Sequence, residues 1–83
     1  MYWVYILENL AGRFYVGSTD NLSRRVDEHN SSEKVGRKYT HKNGPWNLVW
    51  SEEHTTRGKA VSREKAIKRM KSAAWIRREF LGR

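Results

Sequence analysis

The sequence predicts an α+β domain in which a three-stranded antiparallel sheet is flanked by helices. Two short segments near the N-terminus are rich in aromatic and β-branched residues, and a third such segment follows the single proline. The C-terminal third has the residue spacing of amphipathic helices. Because the apolar faces of a sheet must be covered, we predict the order β-β-α-β-α-α with helices packed on the sheet.

The two N-terminal segments are predicted to pair as a hairpin. Residues 2–7 are almost all aromatic or β-branched, which is typical of a central strand that is buried on both faces. Residues 13–18 form the second strand, after the turn-forming sequence Asn-Leu-Ala-Gly. Tyr5 and Tyr15 then lie on neighbouring strands, and they share a face only if the register of the hairpin places them there.

The remaining elements follow from capping residues and apolar periodicity. We predict a helix over about residues 22–31, a loop with a short helical turn over 32–45, a strand over 46–50 with a polar exit, and helices over about 58–71 and 73–81. Asp20 or Asn21 is expected to cap the first helix, and Ser72 the last.

Length and composition exclude several classes of protein. A chain of 83 residues has room for one domain, which we expect to span residues 1–83, with one modest core. There is no cysteine, which excludes disulfides, thiolate zinc sites and cysteine catalysis. No apolar run approaches the roughly 20 residues that span a bilayer, and no signal-peptide pattern is present. We therefore expect a soluble, cytoplasmic protein that does not insert into membranes.

The positive charge is concentrated in one part of the chain. The net charge is +8, and residues 1–56 contain seven basic and seven acidic residues, which cancel. Residues 57–83 contain ten Lys/Arg against two Glu. This asymmetry predicts a polyanionic partner, most simply the phosphate backbone of DNA, although RNA offers the same phosphates. The alternative is a solvated basic face that only keeps the protein soluble.

Two polar residues interrupt the apolar face of the first helix. Leu22, Arg25, Val26 and His29 follow the spacing of one helical face, so Arg25 and His29 are expected at its margin, directed towards the sheet. Taken singly, Arg25 could cover apolar surface with its stem, and His29 could be a hydrogen-bonded, partly buried histidine. Beside two strand tyrosines, the combination favours a functional site.

A carboxylate interrupts the apolar face of the helix at 58–71. Glu64 lies in the middle of that face, where an isolated carboxylate is unfavourable unless it is paired or coordinates a metal. One alternative is an ion pair with Lys68 or Arg25. The other is coordination of Mg²⁺, which commonly binds through one or two carboxylates, water and substrate phosphate.

The hairpin segments resemble the two halves of a known motif. The Val-Tyr pair at 4–5 and the Tyr-Val-Gly triplet at 15–17 resemble the GIY and YIG elements of the GIY-YIG endonucleases, with Trp3 in place of the first glycine. Nine residues separate the two tyrosines, a spacing that suits this family. The resemblance extends through nearly the whole chain and is strongest to the small bacterial single-domain, UPF0213-like branch.

Three residues outside the hairpin extend the resemblance. Arg25 matches the family arginine after the second strand, His29 the histidine or tyrosine one turn later, and Glu64 the later metal-binding glutamate. Many active relatives also have an asparagine in the helix after that glutamate, whereas residues 65–83 contain none. The resemblance implies the same sheet-and-helix fold.

The resemblance implies a Mg²⁺-dependent, or Mn²⁺-dependent, DNA endonuclease that acts in repair, recombination or DNA turnover. Tyr5 is the preferred proton acceptor for the attacking water, and Tyr15 positions the water or substitutes as base. A phenol titrates near ~10, so the metal, Arg25 or a protonated His29 must favour its deprotonated form. Arg25 holds the scissile phosphate, and Glu64 holds the metal at the leaving 3′ oxygen.

Basic residues outside this set are expected to contact flanking phosphates. They lie in the loop and in the C-terminal basic segment: Arg37, Lys38, Lys42, Arg63, Lys68 and Lys71. Two alternatives to an enzyme stay open. The chain could be a non-catalytic nucleic-acid-binding module on the same scaffold, or a protein-interaction domain that uses an exposed aromatic patch.

Overall fold

A computed structural model describes residues 1–30 and 44–82 of the chain. In chain order the elements are β1 (Tyr2–Asn9), β2 (Phe14–Thr19), α1 (Leu22–Asn30), β3 (Trp46–His54), α2 (Arg57–Met70) and α3 (Ala73–Phe80). The predicted α+β order is confirmed for this part of the chain. Most of the predicted loop at 32–45 lies outside the described residues, as do Arg37, Lys38 and Lys42.

The three strands form one antiparallel sheet in the order β2-β1-β3. The apolar strand β1 is central, as its composition predicted. In the hairpin register, Tyr5 is opposite Gly17 and Leu7 is opposite Tyr15. Because side chains alternate along a strand, Tyr5 and Tyr15 lie on the same face of the sheet. The register thus decides the one point about the hairpin that the sequence left open.

Each face of the sheet has its own apolar cluster. On one face Val4, Ile6 and Val16 pack with residues of α2 and α3, including Ile67 and Ile76. On the other face the cluster joins strand residues to α1: Tyr5, Leu7, Tyr15, Leu22, Val26 and Trp46. The two clusters, one on each face of the sheet, bury the middle of the central strand from Val4 to Leu7.

The third strand is longer than predicted. The sequence predicted a strand over 46–50 with a polar exit, whereas β3 continues to His54. The polar half still pairs with β1, with Glu52 opposite Val4 and His54 opposite Tyr2. Because β3 is an edge strand, its polar side chains can reach solvent or ionic partners, and the Glu52 carboxylate accepts a hydrogen bond from Arg63 Nε at 3.1 Å.

Capping side chains fix the starts of the helices. The Asn21 side-chain oxygen accepts the Arg24 backbone N–H at 3.0 Å, so Asn21 rather than Asp20 caps α1. Ser72 caps α3 as predicted, accepting the Trp75 backbone N–H at 3.1 Å. None of the helices in residues 1–30 and 44–82 has the length and hydrophobicity needed to cross a bilayer.

Gly17 is required by the ring of its cross-strand partner. A Cβ atom added to Gly17 would lie 2.5 Å from the Tyr5 hydroxyl oxygen and 2.7 Å from the ring carbon that carries it. The phenol of Tyr5 therefore extends from the central strand across the backbone of β2. Any side chain at position 17 would have to displace it.

We expect Gly17→Ala to lower the free energy of unfolding by about 1–3 kcal/mol, because the added methyl overlaps a buried ring that has no space to move into. Gly58→Ala is the matched control. Gly58 lies in α2, and a Cβ atom added there would have no atom within 4 Å, so alanine at this position should stabilise by up to about 1 kcal/mol. Urea unfolding of both variants measures the difference, and equal stabilities would contradict the packing described for Tyr5.

Candidate active site

Tyr5 and His29 form a buried pair beneath α1. The hydroxyl of Tyr5 lies 2.9 Å from His29 Nε2, and each residue is only 1% exposed. His29 was expected at the margin of the apolar helix face and directed towards the sheet. The direction is confirmed by the contact with Tyr5, whereas the marginal position is wrong, because α1 packs directly on the Tyr5 face of the sheet and buries His29. A hydrogen bond that joins two fully buried polar groups fixes the orientation of both rings.

Tyr15 is the partly exposed member of an aromatic group around this pair. Its ring centroid is 4.7 Å from that of His29, 6.4 Å from that of Tyr5 and 6.3 Å from that of Trp46. Trp46 is buried and closes the group on the side of β3. The two phenols and the imidazole predicted from the sequence therefore do lie together, as a packed cluster on one face of the sheet.

Arg25 reaches a polar cavity at the end of the sheet. Its Nε lies 3.3 Å from a carboxylate oxygen of Glu28, and its side chain is one-fifth exposed. The cavity has a volume of about 310 Å³ and is lined by residues of several surrounding elements: Tyr2, Ser18, Thr19, Asp20, Arg24, Arg25, Arg57 and Ala60. A guanidinium that opens into a polar cavity is suited to binding an oxyanion.

Both carboxylate oxygens of Glu64 have partners. Oε1 accepts a hydrogen bond from Ser18 Oγ at 2.7 Å, and Oε2 is 2.6 Å from the ammonium of Lys68. Of the two ion pairs considered from the sequence, the one with Lys68 is present. The carboxylate is 17% exposed, so it is sheltered but open on one side.

Ser18 was missed by the sequence analysis. It lies directly after the Tyr-Val-Gly triplet and opposite Val4, on the face covered by α2. The available signal was the alternation of β2, which places a small polar residue in line with Phe14 and Val16 on an otherwise apolar face. Nothing in the local sequence shows that Glu64, 46 positions later, is its partner.

The candidate residues meet around the outer edge of β2. The Tyr5 ring crosses β2 at Gly17 on one face, and Ser18 with Glu64 occupies the other face one residue further on. Lys68 joins the two sides, because its ammonium lies 5.9 Å from the ring centroid of Tyr15. An edge strand is the only part of a sheet where side chains from both faces can approach one ligand.

The predicted phosphate-contacting residues are divided between two places. Lys68 and Lys71 line a groove of about 570 Å³ beside β2, together with Arg13. Arg63 lies on the β3 side instead, held by Glu52, with its guanidinium 5.5 Å from the ring centroid of Phe80. Its contact with phosphate stays a prediction.

Comparison with known proteins identifies the family. The profile of the GIY-YIG catalytic domain matches residues 1–78. The chain belongs to the GIY-YIG family. The family likeness predicted from the motif residues is thereby confirmed, and with it membership of a nuclease family that acts on nucleic acids.

Individual GIY-YIG relatives agree with this assignment. The chain is 44% identical over 69 residues to a UPF0213 protein of Desulfotalea psychrophila, covering 83% of this chain and 62% of that protein. It is 37% identical over 73 residues to a UPF0213 protein of Halobacterium salinarum, covering 88% and 92% of the two chains. The chain thus spans less than two thirds of the first relative and nearly all of the second.

A solved structure supports the GIY-YIG fold. The solution NMR structure of a UPF0213 protein from Bacillus halodurans superimposes with a TM-score of 0.54 at 32% sequence identity. The alignment covers 96% of this chain and 87% of the other. The three-stranded antiparallel sheet with flanking helices is therefore shared with a member of the same branch.

Removing the Tyr5 hydroxyl tests the buried pair. We expect Tyr5→Phe to lower the free energy of unfolding by about 1–2 kcal/mol, because the imidazole loses a buried hydrogen-bond partner. Tyr2→Phe is the matched control on the same strand, since Tyr2 forms no side-chain hydrogen bond with any residue in 1–30 or 44–82. The control should change stability by less than about 0.5 kcal/mol. Equal losses in denaturant unfolding would argue against the pair.

Proposed function

We propose that this GIY-YIG protein is a divalent-metal-dependent endonuclease that hydrolyses phosphodiester bonds of DNA in repair, recombination or DNA turnover. The observation that carries the proposal is the buried hydrogen bond between Tyr5 and His29, directed across Gly17 towards the edge of β2 where Glu64 lies. If these positions only filled the core, two apolar rings would pack there equally well. A hydrogen-bonded phenol and imidazole on one face of β2, with a sheltered carboxylate on the other face, supply acid–base chemistry.

The pair provides a route for the proton of the attacking water. When His29 carries its proton on Nδ1, Nε2 accepts the hydrogen bond from the Tyr5 hydroxyl. The phenol oxygen can then take a proton from water while the phenol proton passes to Nε2. Because the imidazole takes up the proton, no isolated phenolate has to form near neutral pH. Tyr15, which is partly exposed and packs against His29 with its ring tilted, positions the water or substitutes for Tyr5.

Arg25 is suited to hold the scissile phosphate. Its guanidinium opens into the polar cavity and forms an ion pair with Glu28 at 3.3 Å. That pair orients the side chain without burying it, so part of the guanidinium remains accessible to a phosphate oxygen. A fixed guanidinium offsets negative charge as it develops on the phosphoryl oxygens in the transition state.

The residues at Glu64 fit a magnesium-type site. A single sheltered carboxylate, oriented by Ser18, suits a hard cation that keeps most of its water and shares the substrate phosphate. No cluster of three or more His, Cys, Asp or Glu occurs in residues 1–30 and 44–82, so an ion held by several protein ligands is not supported there. Bound Mg²⁺ or Mn²⁺ would supply charge stabilisation at the leaving 3′ oxygen.

One observation favours the alternative of a non-catalytic nucleic-acid-binding module. The Lys68 ammonium already pairs with Glu64, so the carboxylate is neutralised without any metal. In addition, residues 65–83 lack the asparagine found in many active relatives. Under this alternative the basic surface binds nucleic acid but no bond is broken.

A substitution at Glu64 separates these functions. We expect Glu64→Gln and Glu64→Ala to abolish metal-dependent cleavage of labelled single-stranded, duplex, flap and branched DNA, while DNA affinity changes by less than about threefold, because the carboxylate binds the metal and not the DNA. Glu52→Gln is the matched control, since Glu52 also forms an ion pair but on the β3 side. Cleavage retained by the Glu64 variants would rule out the assigned metal role. Binding without cleavage by the wild type would favour the alternative.

The ion pair between Glu64 and Lys68 leads to a second prediction. Because a half-exposed pair at i,i+4 contributes only about 0.3–0.5 kcal/mol, a divalent cation should displace Lys68 readily. We expect Lys68→Gln to lower the Mg²⁺ concentration for half-maximal cleavage about twofold at saturating DNA. Lys65→Gln, an exposed lysine of the same helix, is the control. An unchanged or higher Mg²⁺ requirement in the Lys68 variant would show that the ammonium does not compete with the metal.

A further inference from the structure

The polar cavity at the end of the sheet has more cationic groups than one phosphate requires. Among the described residues, three arginines line it, Arg24 and Arg25 from α1 and Arg57 from the start of α2. Within the same set of lining residues Asp20 is the acidic side chain, and it pairs with Arg24 at 3.2 Å. Three guanidinium groups at one polar cavity are suited to an anionic ligand.

Arg57 is the member of this group whose charge is not offset by any described residue. Arg25 pairs with Glu28, and Arg24 with Asp20. Arg57 is exposed and forms no ion pair with any residue in 1–30 or 44–82. It is also the first residue of a 14-residue helix, so the positive end of the helix dipole adds to its charge. The sequence assigned phosphate contacts to the C-terminal basic segment, which includes Arg57, without singling this residue out.

The cavity lies next to the proposed reaction site. Ser18, which holds Glu64, is in its wall, and Ala60 in its wall is one turn before Glu64 on α2. Its volume of about 310 Å³ accommodates a phosphate with several waters. A nucleic-acid strand with one phosphate at Arg25 would therefore bring the adjacent phosphate within reach of Arg57.

We propose that Arg57 and Arg24 form a second phosphate site, which binds the phosphodiester next to the one that Arg25 contacts. This inference rests on the proposed function for its ligand, a nucleic-acid strand, and assigns Arg57 to positioning the strand and not to the bond-breaking step. The ligand chemistry is that of a phosphate monoanion in a phosphodiester, which a single inorganic phosphate can imitate.

The test compares two cations on opposite sides of α2. Arg57→Gln removes the charge from the cavity. Lys59→Gln removes a charge two residues later, on the side of the helix where Lys59 and Ser62 line a separate cavity with His54. Both positions are exposed, so both variants should fold. Binding of a fluorescently labelled oligonucleotide is measured by anisotropy in EDTA over a series of salt concentrations, with wild type alongside.

We expect Arg57→Gln to weaken binding about three- to tenfold and to reduce the slope of log K against log salt by about one, because one phosphate contact is lost. Lys59→Gln should change both quantities clearly less. Equal effects of the two substitutions would overturn the proposal, since they would indicate a diffuse basic surface. No effect of Arg57→Gln would overturn it as well.

Two further measurements separate this inference from the proposed function. In single-turnover cleavage, Arg57→Gln should raise the DNA concentration that gives the half-maximal rate about three- to tenfold, in proportion to its loss of affinity. A loss that falls mainly on the maximal rate would place Arg57 at the scissile phosphate and overturn its assignment. Titration with inorganic phosphate, followed by NMR, should shift the signals of Arg57 and Arg24 side chains in the wild type, and unshifted signals would overturn a phosphate site. If the wild type cuts no DNA, the binding comparison still decides whether the second site exists.

Discussion

The position of the Tyr5 ring is the constraint on which the site depends. Tyr5 begins on the central strand, crosses β2 at Gly17 and reaches His29 with its hydroxyl. Three separate requirements are met at once. Gly17 must have no side chain, the hairpin must have the observed register, and α1 must pack closely enough to bring His29 within 2.9 Å. A shift of one residue in the register would place Tyr5 and Tyr15 on opposite faces of the sheet.

The candidate site lies at an edge strand for a related reason. A central strand is covered on both faces and paired on both sides, so its side chains cannot converge on a common ligand. At the outer edge of β2, the phenols and His29 approach from one face, and Ser18 and Glu64 from the other. Lys68 spans the two groups through its contacts with Glu64 and the Tyr15 ring. An unpaired strand edge is a liability in many proteins. Here it leaves side chains from both faces of the sheet close to one edge, where the proposed substrate would bind.

The basic residues of the C-terminal segment lie on different sides of the fold. Residues 57–83 hold all the excess positive charge, yet the cations in this segment are not equivalent. Arg63 contacts Glu52 and the Phe80 ring, which makes it part of the packing on the β3 side. Lys68 and Arg57 lie on the side of α2 that faces β2. Net charge thus predicts a polyanionic partner, while the orientation of α2 decides which cations lie beside β2.

The sequence by itself determined the element order, the central position of β1 and the residue types of the site. These features follow from local rules, since alternation, helical spacing and capping act over a few residues. The polar half of β3 was missed because the prediction relied on apolar residues. Residues 51–54 are polar, and they belong to the strand only because they pair with β1.

Tertiary structure alone decided which residues touch. The burial of His29, the link between Ser18 and Glu64 and the shared cavity of Arg25 and Arg57 all join residues distant in the chain. Such contacts depend on strand register and on how helices pack against the two faces of the sheet, and no local pattern encodes either.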